Sequence, residues 1–274
     1  MNDYIEIIFE GRSASENEML IAWLTDIGFE AFEEEESLLK SFIPERDFDE
    51  TKLKQVAEKI NMPYGKSPVK DRNWNTIWEQ SFEPVVINNF CAIRAAFHLP
   101  VSGIQHEIII TPKMSFGTGH HATTYMMIEA MKNIAFTEKT VLDFGTGTGV
   151  LAILAEKMGS FLIDAIDNDE WSINNAKENI QMNHCRNIHI RNAGTLPESG
   201  HYNIIMANIN KHIILQHMPA MRNAIVPDGL ILLSGMLYTD LNDVKKALKI
   251  HGFHLSGVQE RNTWICIQCK PEIN

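Results

Sequence analysis

Residues 141–153, VLDFGTGTGVLAI, join an apolar run to a helix-like pattern through Gly145, Gly147 and Gly149 at alternate positions. A buried strand, a glycine turn and a helix form the opening unit of an open α/β sheet, where ligands bind outside the carboxyl ends of the strands. Glycine lacks a Cβ, so it permits positive φ and a close approach of the backbone to a bound molecule. The stretch therefore predicts a ligand-binding turn.

The glycine spacing narrows the choice of ligand. A dinucleotide turn needs G-x-G-x-x-G or G-x-G-x-x-A, whereas here Val150 takes the place of the last small residue, and a P-loop needs a lysine that does not follow. Asp167 closes the next apolar run, 22 positions beyond Gly145. A carboxylate there is suited to accept both hydrogen bonds of a ribose diol. A ribose-bearing ligand is indicated, and the glycine spacing disfavours NAD and ATP.

Strand-like and helix-like runs alternate after residue 140, which predicts a doubly wound parallel sheet with helices on both faces. Two final strand-like runs without a helix between them predict an antiparallel edge. Residues 1–70 follow the order β-α-β-β-α-β, which predicts a small α+β ferredoxin-like domain. Residues 71–84, with Trp74, Trp78 and Phe82 four apart, predict a linker helix. Residues 85–274 are then expected to form the large α/β domain, which opens with two predicted strands, VVINNFCAIRAAF and HEIIITP.

Composition restricts the class of protein. The 274 residues are 45% hydrophobic and 22% charged, as in an ordinary globular protein, and the formal net charge is -11. Such a chain repels phosphate backbones, so we expect no direct sequence-specific nucleic-acid binding and a preference for a basic partner. Four scattered cysteines fit a reducing cytoplasm. No run has the length of a membrane span, and no secretion signal opens the chain, so a cytoplasmic protein without membrane contact is expected.

A second stretch, SFGTGHHATT at residues 115–124, resembles the F-G-T-G-x-H-x-T-T signature of the methyltransferases that modify ribosomal protein L11 of the large subunit. The glycine turn, the segment ANI around Asn208 and a late LSG resemble the same family in order. The resemblance implies a class I methyltransferase (Rossmann-like) fold and methyl transfer from S-adenosylmethionine, with S-adenosylhomocysteine as product. Amino groups of ribosomal protein L11, lysine side chains or the N-terminal amine, would be the acceptors. The small N-terminal domain would recognise that protein.

The resemblance also implies a set of site residues. The implied cofactor-binding residues are Phe116, Gly117, Thr118, Gly119, His121, Thr124, Asp143, Gly145, Gly147, Gly149, Asp167 and Asn208. Asn208 is the candidate catalytic residue, because its carboxamide oxygen can accept a hydrogen bond from an amine and orient the nitrogen lone pair. Capping of the following helix is the alternative role for Asn208. A histidine pair, His120 and His121, suggests a general base less strongly than a structural role.

Other interpretations stay open at this point. A class I methyltransferase acting on another protein, on RNA or on a small molecule would share the glycine turn. A non-catalytic ribosome-binding protein with a degenerate cofactor fold and a nicotinamide-dependent oxidoreductase are more distant alternatives. No metal is expected, since Cys266 and Cys269 would point to opposite faces of one strand and no second pair accompanies them. The residues that contact adenine are not identified, although Asn192 is a candidate.

Overall fold

A computed structural model describes residues 4–10, 14–35, 38–69, 82–113, 117–197 and 201–272. The chain divides into two compact units, Met1–Gln80 and Ser81–Asn274. The division lies inside the predicted linker, 71–84, most of which is outside the described residues. The predicted domain boundaries therefore stay predictions.

The first unit has the element order β-α-β-β-α-β, as the sequence predicts. Its strands and helices are β1 (Tyr4–Glu10), α1 (Ala14–Asp26), β2 (Ala31–Glu35), β3 (Leu38–Pro44), a 3-10 helix (Glu45–Asp47), α2 (Glu50–Ile60) and β4 (Tyr64–Val69). The strands form one sheet in the order β2-β3-β1-β4, and all its neighbouring pairs are antiparallel. Every second residue of β1 is buried, because α1 and α2 contribute to a core on one face of the sheet.

The second unit contains two sheets and five described helices. Its elements are β5 (Val85–Ile87), β6 (Cys91–Ala95), β7 (His106–Ile110), α3 (Ala122–Met131), β8 (Thr140–Phe144), α4 (Val150–Lys157), β9 (Leu162–Asp167), α5 (Glu170–Met182), β10 (Ile188–Asn192), β11 (Tyr202–Asn208), α6 (Lys211–Ala224), β12 (Ile225–Leu237), a 3-10 helix (Tyr238–Asp240), α7 (Leu241–Ile250), β13 (Phe253–Arg261) and β14 (Trp264–Pro271).

The main sheet has seven strands in the order β10-β9-β8-β11-β12-β14-β13. The first five are parallel, and β14 and β13 complete the antiparallel edge predicted from the sequence. The chain runs outward from β8 through β9 to β10 and then returns to β11 on the other side of β8. Such a reversal of strand order opens a crevice at the carboxyl ends of β8 and β11, where ligands of doubly wound sheets bind.

A separate three-stranded sheet, in the order β5-β6-β7, precedes the main sheet. The sequence predicted two strands here, but residues 88–90 form a turn that divides the first of them into β5 and β6. Phe82, predicted as the end of the linker helix, is described and is not helical. It is buried, with its ring centroid 5.9 Å from His98 and 4.9 Å from His120. Trp74 and Trp78 lie outside the described residues.

In the described ranges, none of the helices combines the length and the apolar composition that crossing a membrane requires.

Candidate functional site

The glycine turn connects β8 to α4 at the crevice. Gly145, Gly147 and Gly149 have φ values of 76°, 54° and 81°, a region that favours glycine. The backbone N–H groups of Gly145 and Thr146 both donate to the carbonyl of Ile166 on β9, at 2.8 and 3.0 Å. A Cβ at Gly145 would overlap with the side chain of Ile209, so the turn also needs glycine for packing.

Asp167, the last residue of β9, lies beside this turn. One carboxylate oxygen accepts the N–H of Gly147 at 2.9 Å, and the other accepts the N–H of Asp169 at 3.0 Å. Each oxygen of a carboxylate can accept a second hydrogen bond. The turn therefore orients the carboxylate and leaves it able to accept two hydroxyl groups.

Asp143 lies beneath the turn and is completely buried. Its Oδ2 accepts a 2.6 Å hydrogen bond from the hydroxyl of Thr146, while Oδ1 has no hydrogen-bond partner among the described residues. Burial raises the pKa of Asp143 to about 7, and the Thr146 hydrogen bond opposes this shift. The structure thus places Asp143 as a support of the turn from inside the fold.

Asn208 stands at the carboxyl end of β11, on the other side of the crevice. It is 8% exposed, and its Nδ2 donates to the hydroxyl oxygen of Thr124, 3.2 Å away in the first turn of α3. Its Oδ1 is buried and has no hydrogen-bond partner among the described residues. Because an unsatisfied buried acceptor is costly, this oxygen is suited to accept a hydrogen bond from a bound N–H donor. The cap of α6 is the next Asn along the chain, Asn210, so the capping alternative for Asn208 is wrong.

The loop between β7 and α3 reaches the glycine turn from the three-stranded sheet. The hydroxyl of Thr148 donates to the carbonyl of Gly117 at 2.8 Å. Gly117 and Gly119 have positive φ, and a Cβ at Gly119 would come within 2.6 Å of Ile93 Cδ1. Thr118 is buried beside them. These contacts hold the described part of the loop against the turn.

His121 is the N-cap residue of α3 and is not placed as a base. Its Nδ1 accepts the N–H of Thr123 at 3.3 Å, and its ring packs against Trp264 with 4.7 Å between centroids. Burial lowers the pKa of His121 to about 4. His120 lies with Nδ1 3.2 Å from the hydroxyl of Thr118. The geometry favours structural roles for both histidines.

These elements enclose one cleft at the carboxyl ends of β8 and β11. Its lining consists of Gly117, Thr124, Gly145, Thr146, Thr148, Val150, Leu151 and Asn208. None of these residues has a charged side chain. Such a lining binds its ligand through backbone groups, hydroxyls and one carboxamide in an environment of low polarity.

The predicted site residues divide into three groups. Gly117, Thr124, Gly145 and Asn208 line the cleft, whereas Thr118, Gly119, His121, Asp143, Gly147, Gly149 and Asp167 surround or support it. Phe116 lies outside the described residues. Four further lining residues were not predicted from the sequence: Thr146, Thr148, Val150 and Leu151. The two threonines were recognisable from their positions between the glycines, but the two apolar residues resemble any helix start.

The described residues hold no group of three or more His, Cys, Asp or Glu side chains that could bind a metal ion. Cys266 and Cys269 are buried free thiols on β14, and burial raises the pKa of each to about 12. Because β14 lies between β12 and β13, each of the two cysteines pairs with a residue on both of these strands.

The site residues fit S-adenosylmethionine. The Asp167 carboxylate can accept the two ribose hydroxyls, and the glycines of the turn let the backbone approach the bound molecule closely. The lining contains no lysine or arginine side chain that could pair with the phosphates that a nucleotide cofactor such as ATP would bring into the cleft.

Comparisons with known proteins converge on one family. The model of the family "Ribosomal protein L11 methyltransferase (PrmA)" matches residues 8–272. A ribosomal protein L11 methyltransferase of Porphyromonas gingivalis is 37% identical over 263 residues, which cover 93% of this chain and 91% of that protein. The one from Chlorobaculum parvum is 37% identical over 286 residues, with coverage of 99% and 98%. The crystal structure of the ribosomal protein L11 methylase from Lactobacillus delbrueckii subsp. bulgaricus superposes with a TM-score of 0.66 at 27% identity, over 70% of this chain and all of that one.

Proposed function

Because the chain belongs to the ribosomal protein L11 methyltransferase family, we propose that it transfers methyl groups from S-adenosylmethionine to amino groups of ribosomal protein L11. Lysine ε-amines, the N-terminal amine or both are the acceptors in this proposal. The observation that carries it within the site is the buried, unpartnered Oδ1 of Asn208 beside an uncharged cleft.

Asn208 is the residue that we propose to orient the acceptor amine. The hydrogen bond from its Nδ2 to Thr124 fixes the carboxamide, so Oδ1 is turned away from Thr124. An amine that donates an N–H to Oδ1 keeps its lone pair free for attack. Fixing the nucleophile in this way is worth several orders of magnitude in rate, since methyl transfer is a direct displacement that depends on alignment.

The uncharged lining of the cleft favours a neutral amine. A lysine amine has a pKa of about 10.4 in water and must lose its proton before it can attack. Entry into a cleft without charged side chains disfavours the ammonium form and lowers that pKa. His121 is already used as a helix cap, so we propose that no dedicated side-chain base is required.

Two parts of the crevice would hold the cofactor. Asp167 would accept the ribose hydroxyls, and the turn at Gly145 and Gly147 would bring the backbone against the bound molecule. Thr124, Gly117, Thr118 and Gly119 would close the opposite side, with Asp143 and Gly149 beneath the turn. When bound, S-adenosylmethionine supplies an electrophilic methyl group on a sulfonium. The residues of this chain bind it, orient the amine and exclude water.

We also propose that the first unit recognises ribosomal protein L11, with a boundary in the predicted linker 71–84. Recognition by a separate α+β unit would leave the large domain free to position the cofactor. A cytoplasmic location, indicated by the four scattered free cysteines, is part of the same proposal.

Mass spectrometry of ribosomal protein L11 after incubation with the purified protein and S-adenosylmethionine tests this function. We expect mass gains in steps of one methyl group. Asn208→Ala should lower the rate by roughly 100-fold or more while cofactor affinity changes little, as expected when a group that aligns the nucleophile is removed.

Asn203→Ala is the matched control, because Asn203 lies at the opposite end of β11 and accepts hydrogen bonds from Thr140. It should lower stability without lowering the rate. Full turnover by Asn208→Ala would contradict the orienting role. Cofactor binding without methylation of L11 would retain the methyltransferase and point to another protein, RNA or a small molecule as substrate.

A further inference from the structure

Two asparagines of α5, Asn175 and Asn179, and its C-cap residue, Asn183, follow one another at intervals of four residues. Asn175 and Asn179 are 1% and 0% exposed, and Asn183 is partly buried. A buried helix face normally carries apolar side chains, so three carboxamides there need an explanation. None of them belongs to the cleft lining.

The carboxamides pair with the open edge of β7. Asn183 accepts the N–H of Ile109 at 3.0 Å and donates to the carbonyl of the same residue at 2.6 Å. Two residues along, Asn179 accepts the N–H of Thr111 at 2.8 Å and Asn175 donates to its carbonyl at 3.3 Å. The side chains thus take the place of a neighbouring strand and satisfy partly buried backbone groups at the edge of the sheet.

Asn179 differs from the other two asparagines because it also reaches the glycine turn. Its Nδ2 donates to the carbonyl of Thr148 at 2.8 Å. The hydroxyl of Thr148 in turn donates to the carbonyl of Gly117 at 2.8 Å. A continuous series of hydrogen bonds therefore runs from Thr111 through Asn179 and Thr148 to Gly117.

Thr111 and Gly117 lie on the two sides of residues 114–116, and Gly117 and Thr148 both line the cleft. Asn179, which lies behind the cleft, therefore fixes the position of the glycine turn relative to the loop between β7 and α3. Binding weakens when the walls of a site must be ordered at the moment the ligand arrives.

We propose that Asn179 is a positioning residue for the cofactor: its carboxamide holds the loop that begins at Thr111 in register with the glycine turn. This inference rests on the proposed function, because it assigns the cleft to S-adenosylmethionine. Asn179 does not contact the cleft and acts through Thr148 and Gly117.

Asn179 and Asn183 provide a matched pair for the test. Each carboxamide makes three hydrogen bonds, those of Asn179 to Thr111, Thr148 and Asn175, and those of Asn183 to Ile109 twice and to the backbone of Asn179. Replacement by leucine, Asn179→Leu and Asn183→Leu, keeps the approximate volume and removes the same number of bonds. Only Asn179→Leu disconnects the glycine turn.

Calorimetric titration of the full chain with S-adenosylmethionine, together with the unfolding midpoint, separates the two roles. We expect both variants to unfold at lower temperature. Asn179→Leu should raise the Kd by at least about tenfold, the effect of losing one buried hydrogen bond. Asn183→Leu should leave the Kd within about twofold, because its bonds do not reach the turn.

Thr148→Val and Thr148→Ser test the next hydrogen bond of the series, from Thr148 to Gly117, and do so even if Asn179→Leu fails to fold. Valine removes the hydroxyl that reaches Gly117 and should raise the Kd, and serine retains it and should restore binding. Equal weakening by both leucine variants, or an unchanged Kd in Asn179→Leu, would overturn the inference.

The outcome for the wild-type protein separates this inference from the proposed function. Wild-type protein that binds no S-adenosylmethionine would overturn both. Tight cofactor binding without methylation of L11 would overturn the proposed substrate alone, and the role of Asn179 would be decided by the Kd values.

Discussion

At the scale of single residues, Gly145 and Gly103 have nearly the same φ angle and differ in surroundings. Their φ values are 76° and 75°. A Cβ at Gly145 would overlap with Ile209, whereas a Cβ at Gly103 would have nothing within 4 Å. The pair separates the cost of a positive φ from the cost of a steric overlap.

We expect Gly103→Ala to lower the free energy of unfolding by about 1–2 kcal/mol, the cost of a side chain in this conformation. Gly145→Ala should cost roughly 1–3 kcal/mol more, because Ile209 must move. The displaced turn should also weaken S-adenosylmethionine binding, which Gly103→Ala should leave unchanged. Denaturant unfolding and calorimetric titration check both parts, and equal effects of the two substitutions would argue against a packing role for Gly145.

Residues with a special chemistry or conformation could be predicted from the sequence, and residues that act through a shared hydrogen bond could not. Gly145 directly follows β8, and Asp167 and Asn208 are the last residues of β9 and β11, so their meeting at one sheet edge follows from the topology of parallel sheets. Asn179 lies in the middle of a helix, where asparagine is most often solvent-exposed. Its partner Thr111 is 68 positions away in the chain, so no local pattern shows the contact.

At the scale of elements, the start of α3 depends on a neutral histidine. Nδ1 of His121 can cap the helix only while it is unprotonated, and burial lowers the pKa of His121 to about 4. In the unfolded chain a histidine has a pKa of about 6.5. Between these values the unfolded state binds the proton and the folded state does not, so stability falls as the pH falls from 6.5 to 4.

We expect this window to contribute up to roughly 3 kcal/mol, from about 1.4 kcal/mol for each pKa unit. His121→Asn keeps a capping oxygen and removes the titration, so stability should depend less on pH between 6.5 and 4 than in the wild type. His121→Ala should reduce the pH dependence of stability in the same way. Its free energy of unfolding should also be about 1 kcal/mol lower than that of His121→Asn at every pH, because alanine provides no cap. Chemical unfolding at a series of pH values measures both, and an unchanged slope would refute the assignment.

Most elements of the main sheet were predictable because they are buried on both faces. Strands such as β8 and β11 are short apolar runs. In the helices between them, the apolar residues recur with the period of an α-helix. The sheet formed by β5, β6 and β7 was predicted incompletely. Its turn at residues 88–90 contains Asn88 with φ of 51°, and two neighbouring asparagines do not by themselves distinguish a turn from a strand.

At the scale of the whole molecule, each unit has a hydrophobic core of its own. The first core joins Ile7, Phe9 and Leu24 to α2, and the other lies in the main sheet. Units with separate cores can in principle fold independently. This organisation agrees with the proposal that the first unit recognises the substrate and the second transfers the methyl group.

We therefore expect residues 81–274 alone to bind S-adenosylmethionine with a Kd within about threefold of the full chain. Methylation of ribosomal protein L11 should fall by about 100-fold or more, equivalent to the loss of about 3 kcal/mol of recognition. Titration and a methyl-transfer assay measure the two quantities on one preparation. Undiminished methylation by the shortened chain would show that the large unit recognises the substrate without help.

The strand order of the main sheet also restricts the sequence of events during synthesis. The last strand to be made, β14, lies between β12 and β13, so β13 has no partner until residues up to Pro271 have left the ribosome. The strands that carry Gly145, Asp167 and Asn208 are translated earlier and pair with one another. The nascent chain can therefore assemble its cofactor crevice while β12 still exposes an unpaired edge, and that edge is open to non-native pairing until β14 is made.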